Sequence, residues 1–442
     1  MAPLDPQPQT IVLRAARLLD GNGAEPLADA ALVLHGETIT AVGPAHTVPI
    51  PLGARVIDYG DKSIMPGLVS NHAHVGLVDG VDVGARFYTR ANILRQLRQY
   101  EAYGVTTVTS LGLNGPLFRA LREEMHAGAT PGADLFGVES GVGTPCGAPP
   151  ASMVPVGDDQ LFRPDTPEEA RTAVRAMAAR GTDLVKVWLD DFRGTVPVKM
   201  PPAVYRAAID EAHALGLRVA AHIHDREDAR AITRAGADIL AHGVRDVPVD
   251  AELVQWLAEH RVWYIPTLSL DETTFVFAER PEWTLEPFVE RALAPAVRAR
   301  IDDPQWRERT LGEPRSAFAR SSLAMNLRNV KTLFDAGIPI GFGSDSGVTP
   351  LRLSGASEHR ELGLLVDAGL TPLQAITTAT KNAAALLGLT DRGVLAVGKK
   401  ADLVVLDGDP SRTIANTKAI VAVWHRGRLA SGRVETFESL SE

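Results

Sequence analysis

At 442 residues the chain exceeds one ordinary compact domain, and its single cysteine, Cys146, excludes an intramolecular disulfide and suits a reducing compartment. Its 45% apolar and 22% charged residues fit a soluble globular protein, and 45 basic against 54 acidic side chains (net −9) argue against a general nucleic-acid binder. No run approaches the ~20 apolar residues of a membrane span and residues 1–10 lack an apolar signal core, so a cytoplasmic protein without a membrane partner is expected.

Residues 10–62 carry short β-rich segments separated by turns. From residue 64 onward, strand-like and helix-like stretches alternate. Strands are expected at 64–71, 105–112, 134–141, 184–190, 218–224, 239–245, 262–268 and 340–344. Most are short apolar runs without polar alternation, the pattern of parallel strands buried on both faces. Between and after them, helical periodicity marks 92–103, 116–126, 166–180, 202–215, 226–235, 250–260, 320–336 and 371–387, several closed by a glycine such as Gly104, Gly181 or Gly388. Eight such repeats predict an α/β fold, a (β/α)8 TIM barrel over 64–390. The tail from Gly393 is β-rich again, so 1–63 and 391–442 are expected to pair into one small β-sandwich.

Two connections are longer than the usual few residues. One, 144–165, is rich in Pro and Gly; the other, 269–316, holds Phe275, Phe277, Trp283, Phe288 and Trp306. Both follow strands, so both should hang over the C-terminal mouth of the barrel, where such folds place their sites. They read as lids or pocket walls, with a subunit-contact arm as the alternative; a homo-oligomer is expected.

Polar residues gather at the strand ends. His72 and His74 are two apart, so in a strand their imidazoles project from one face, the geometry for gripping one metal ion. Lys186, within Val185-Lys-Val-Trp188, would bury an ammonium, which is costly unless the charge is removed or paired. Reaction with carbon dioxide would turn it into an anionic carbamate able to bridge two cations; pairing with Asp190 or Asp191 is the alternative. His222 and His224 end the fifth strand and share a face, so spacing does not separate them. His242 ends the sixth strand and Asp345 follows the eighth. His35, His46, His126, His213, His260 and His425 lie elsewhere and read as surface or packing residues; Glu358-His359, after the eighth strand, reads as a helix face, with reach into the pocket as the alternative.

Taken together, Ser70-Asn-His-Ala-His74, Lys186, His222, Ala241-His242-Gly243, Gly343-Ser-Asp-Ser346 and the tail Gly393–Asp407 resemble the metal-dependent amidohydrolase superfamily over nearly the whole chain. The nearest branch is that of imidazolonepropionase-like and prolidase-like hydrolases. The resemblance implies that His72, His74 and Asp345 bind the more buried metal. It further implies that carbamylated Lys186 bridges to a second metal held by His222, the first histidine after the strand, and His242. Two divalent cations are expected, zinc or else manganese, iron or cobalt, with metal-activated hydroxide as nucleophile and Asp345 as the catalytic base that turns acid.

The implied function is a binuclear hydrolase of C–N bonds in a small-molecule substrate such as a dipeptide, N-acyl amino acid or cyclic amide. The alternative is an ester, lactone or phosphotriester hydrolase on the same site. A mononuclear deaminase fits less well: such members place a catalytic Glu where Asp225 stands and have no use for Lys186. A catalytically inactive scaffold protein is the alternative from another class, disfavoured by the complete ligand set. For substrate contacts the residues near strand ends are Tyr88, Arg245 and Tyr264, with Arg90, Asp246 and Thr267 beside them, and the aromatic insertion suggests apolar pocket walls.

Overall fold

The structure, a computed structural model, describes residues 9–192 and 194–432. The outer ends of both terminal segments, including most of the stretch read as lacking a signal core, lie outside the described residues. The chain divides into two compact units, residues 1–69, 101–106 and 371–442 in one, and residues 70–100 and 107–370 in the other. Among the described residues no helix is long and apolar enough to cross a membrane.

In the first unit both ends of the chain share one eight-stranded sheet. Thr10–Leu18 is its centre, antiparallel to Leu27–His35 and parallel to Arg55–Asp58 and Ser63–Pro66. Ser63–Pro66 in turn pairs antiparallel with Leu403–Leu406, which joins the C-terminal strands Ile420–His425 and Arg428–Gly432. Side chains alternate as a period of two requires. Leu13, Ala15, Leu32 and Leu34 enter one apolar cluster, while Val12, Ala31 and Val33 enter another.

The strand expected at 64–71 is two strands, Ser63–Pro66 in the terminal sheet and Leu68–Ala73 after it. Pro66 has no N–H to continue a ladder. At Gly67 a side chain would collide with Thr106, and the N–H groups turn to new acceptors, Gly67 to Asp402 O and Leu68 to Gly104 O, both at 2.9 Å.

The second unit is built from parallel strands alternating with helices. Leu68–Ala73, Val105–Leu111 and Asp134–Val138 lie side by side in one sheet. Val185–Trp188, Val219–His222, Ile239–Ala241 and Trp263–Ile265 form a second, parallel throughout. Isolated parallel bridges join Val142 to Val187, Tyr264 to Ile340, and Ser346 to Ala73. Every residue of Val105–Leu111, Val185–Trp188 and Val219–His222 is buried, the reason these runs lack polar alternation.

The connection 269–316 is not an irregular loop. It folds into short helices, including Leu268–Glu272, Pro287–Glu290, Pro295–Asp302 and Pro304–Gly312, and leads into the long helix Pro314–Asp335. Four of these begin on proline, whose fixed φ suits the first helical position and whose missing N–H costs nothing there. Its aromatics pack mostly inward: Phe275, Phe277 and Phe288 are buried, and Phe277 meets Trp283 edge-on at 6.3 Å.

Candidate metal centre

His72 lies within the strand Leu68–Ala73 and His74 just beyond it, with ring centroids 5.8 Å apart. Both Nε2 atoms face the same oxygen, Asp345 Oδ1, at 3.3 and 3.1 Å. Asp345 reaches them because its segment is laced to theirs: Asp345 N–H donates to His72 O at 2.9 Å, and His74 N–H to Ser346 O at 2.7 Å. Only glycine permits this approach on either side of the aspartate. A Cβ at Gly343 would strike the His72 backbone, and one at Gly347 (φ +83°) the His74 carbonyl. Gly347→Ala is therefore expected to destabilise the protein by more than about 1 kcal/mol, read as a lower melting temperature, with weakened metal uptake in parallel.

His222 ends the strand Val219–His222, stacks on Phe192 (4.8 Å, 5° between planes) and places Nε2 3.4 Å from Asp190 Oδ2. His242 follows Ile239–Ala241 in left-handed backbone, φ +104°, and bonds through Nδ1 to Thr267 Oγ1 at 2.8 Å. Its ring lies 4.3 Å from His222 and 4.5 Å from His72, and ligand atoms of His72, His242 and Asp345 all fall within 4.8 Å of one another. His224 shares the cavity but turns Nδ1 to Asp225 Oδ1 at 2.6 Å, so it is His222 that the structure brings to His242 and Asp190.

Lys186 is fully buried on Val185–Trp188, with Nζ lacking any hydrogen-bond partner and 5.4 Å from the Trp188 ring centre. Neither Asp190 nor Asp191 pairs with it; Asp190 meets His222 instead. Burial pulls the amine down to about 7, against the opposing pull of Asp345 and Asp190.

These groups fit a metal ion. Burial, with the nearby Lys186 charge, pushes His72 down to about 3; burial also lowers His222, and with the neighbouring imidazoles holds His242 well below its ordinary value. The three rings are neutral at pH 7, with lone pairs free for ligation. Burial would raise Asp345, but the groups around it, the Arg352 guanidinium foremost, outweigh that effect and keep the carboxyl well below the usual range. His74 turns Nδ1 to Gly112 O (3.2 Å) and Nε2 to Asp345 Oδ1 (3.1 Å), so Nε2 and the carboxylate oxygen stand close enough for one cation to take both.

The amidohydrolase family model matches residues 63–431. The chain belongs to the amidohydrolase family. Ochratoxinase of Aspergillus niger is 25% identical to it over 95% of this chain and 86% of that protein. A crystal structure of a putative prolidase from Bifidobacterium longum has a TM-score of 0.75 at 26% identity, covering 96% of this chain and 95% of its own. A Xaa-Pro dipeptidase with bound methionine in the active site has the same TM-score at 21% identity over 95% and 99%, and shares the fold.

The centre of this hydrolase opens into a cavity of about 140 Å³. Its apolar wall comes from Leu113, Trp188, Phe192 and Val348 and from Pro149, Met153 and Val154 of the 144–165 connection. The aromatic insertion, expected to supply that wall, contributes Leu270 and Asp271 instead. Of the residues expected to touch substrate, Arg245 lines the cavity, held by Asp271 (3.3 Å) and Ile223 O (3.2 Å). Tyr264 is fully buried, its hydroxyl accepting from Val244 N–H (2.7 Å) and facing Asn326 (3.3 Å), which makes it a packing residue there. Tyr88 turns to Asn114 Oδ1 at 3.4 Å, Arg90 to Glu124, and Asp246 to the Arg226 N–H. The sequence reading missed Arg352, which lines the cavity and pairs with Asp345 Oδ2; its only signal was a cation in the loop that follows Asp345.

Proposed function

We propose that this amidohydrolase cleaves the amide C–N bond of a small molecule bearing a carboxylate, an N-acyl amino acid or a dipeptide, at a site for two divalent cations. One observation carries this reading: neutral imidazoles, the Asp345 carboxylate and an unpartnered Lys186 amine converge on one buried centre. The names of the relatives, a prolidase and an ochratoxinase, agree with amide hydrolysis. The parallel bridges at Val142, Tyr264 and Ser346 support reading 64–390 as a (β/α)8 barrel, and the sheet shared by both terminal segments supports reading 1–63 and 391–442 as the two parts of a β-sandwich.

His72, His74 and Asp345 would hold one ion, and His222 and His242 the other, with carbamylated Lys186 shared between them. The carbamate forms when the free amine of Lys186 attacks carbon dioxide, making an N–C bond and releasing a proton to solvent. Bound divalent ions supply Lewis acidity, bringing the pKa of water toward ~7 and polarising the scissile carbonyl. Asp345 takes the proton of the attacking water on its carboxylate and returns it to the leaving amine nitrogen as the C–N bond breaks. Trp188, Phe192 and Leu113 exclude water and pack the apolar part of the substrate. Arg352, at the cavity wall, offers its guanidinium to the substrate carboxylate.

Elemental analysis of protein expressed with metal and bicarbonate is expected to give about two divalent ions per chain, zinc being best suited to the donors. Chelation should abolish activity and re-addition restore it. A panel of dipeptides, N-acyl amino acids, their carboxamides, lactones and phosphotriesters then tests the bond. An N-acyl amino acid should exceed its carboxamide by roughly 10–100-fold in kcat/KM, the worth of one charge-assisted hydrogen bond. Protein free of stoichiometric metal under all these conditions, or a preference for lactones or phosphotriesters, overturns the proposal.

A further inference from the structure

Beneath the centre lies a second carboxylate, Glu358, with no solvent exposure, on the helix Ala356–Asp367. Its Oε1 accepts three hydroxyls, from Ser70 at 3.2 Å, Ser344 at 2.7 Å and Ser346 at 2.6 Å. Oε2 accepts the Gly355 N–H at 2.9 Å. Ser346 gives its proton to Glu358, so the Tyr100 hydroxyl, 2.6 Å away, donates to Ser346 Oγ. The three serines are placed to matter: Ser344 and Ser346 flank Asp345, and Ser70 stands on the strand of His72.

Burying a carboxylate is costly, and an apolar side chain of similar volume would fill the space at less cost. The charge is explained by what it fastens. Asp345 sits in left-handed backbone, φ +57°, a conformation that persists only where the surroundings impose it. With both neighbours of Asp345 and the root of the His72 strand tied to one oxygen, the segment cannot relax away from His72 and His74.

We propose that Glu358 is a positioning residue: by fastening Ser70, Ser344 and Ser346 to a single oxygen, it fixes Asp345 against His72 and His74 and thereby sets the affinity of that metal site. The inference rests on the metal-site reading given above.

The test is Co²⁺ or Zn²⁺ binding by competition with a chelator, which needs no substrate. Glu358→Gln keeps the shape but sets an amide NH₂ against either the serine hydroxyls or the Gly355 N–H, so one set of donors loses its acceptor. The expected result is ~10–100-fold weaker binding, the usual cost of losing a group that orients ligands, with an altered Co²⁺ absorption spectrum. kcat should fall in proportion while KM changes less than about twofold. Ser344→Ala, which removes one hydroxyl and leaves the carboxylate with its other donors, should show a smaller effect of the same sign, and the two should be less than additive. Variants that melt earlier yet bind Co²⁺ with native affinity and spectrum overturn the inference alone. Native protein that takes up no metal overturns the metal-site reading as well.

Discussion

Lys186→Ala is expected to lose one of the two proposed metal equivalents and nearly all turnover, because the proposed carbamate needs the amine. The expectation grows from the physical situation of Nζ, fully buried without a hydrogen-bond partner and with its pKa drawn down to about 7. An ammonium there is costly, a free amine much less so, and the free amine is the form that attacks carbon dioxide. Uptake of bicarbonate-derived carbon should therefore increase as pH rises through about 7. Truncation also leaves a void, so Lys186→Met is the companion variant: it keeps the stem and removes only the nitrogen. Since that nitrogen bonds to nothing, the metal-free Met variant should melt no lower than the native protein, while its metal content and turnover fall as in the Ala variant. Acetate or propionate should restore part of the Ala variant's activity by occupying the bridge. A Lys186→Ala protein with two metals and native turnover refutes the bridge, as does a bare lysine in metal-replete crystals.

The residues that gather at this centre stood out in the sequence because few residue types bind divalent ions and the expected barrel would present them at strand ends. His72 with His74, Lys186, His242 and Asp345 all carry that mark. What the sequence left open was set by contacts between distant residues. Whether His222 or His224 turns toward His242 depends on Asp190, Phe192 and Asp225, and a shared face does not distinguish them. The left-handed backbone at His242 and Asp345 was not legible either, since Asp and His adopt positive φ more often than most other residues but still seldom. The strand at 64–71 read as continuous because its hydrophobicity is continuous; the switch between sheets comes from Pro66 and from the close approach of Thr106 to Gly67. The stretch 269–316 read as one long connection, whereas four prolines within it start helices. Glu358 looked like an ordinary helix face because its three serine partners come from two other segments.

Asp345→Asn should keep the shape of the centre and lose ~10²–10⁴-fold in turnover, the usual worth of a general base, with a further loss where metal affinity drops. The native carboxylate faces His72 and His74 through Oδ1 and pairs with Arg352 through Oδ2, and that guanidinium is foremost in holding it ionised against the effect of burial. The rate should accordingly hold down to the ordinary carboxylate range and fall only below it, and that acid limb should vanish in the residual activity of the Asn variant. Stability follows the same sign. A carboxyl whose folded pKa lies below its unfolded one contributes stability that is fully present above about pH 4 and is lost as pH falls toward the folded value. The gap in melting temperature between metal-free native and Asn proteins should therefore be constant from pH 7 to about 5 and close at lower pH. Arg352 adds to the gap at neutral pH, since in the variant its guanidinium, 18% exposed, loses its ionised partner. An Asp345→Asn protein with full metal content and full turnover on a verified substrate would place the proton transfer on another residue. His224, whose Nε2 is buried at the cavity without a hydrogen-bond partner, would then be the next to replace.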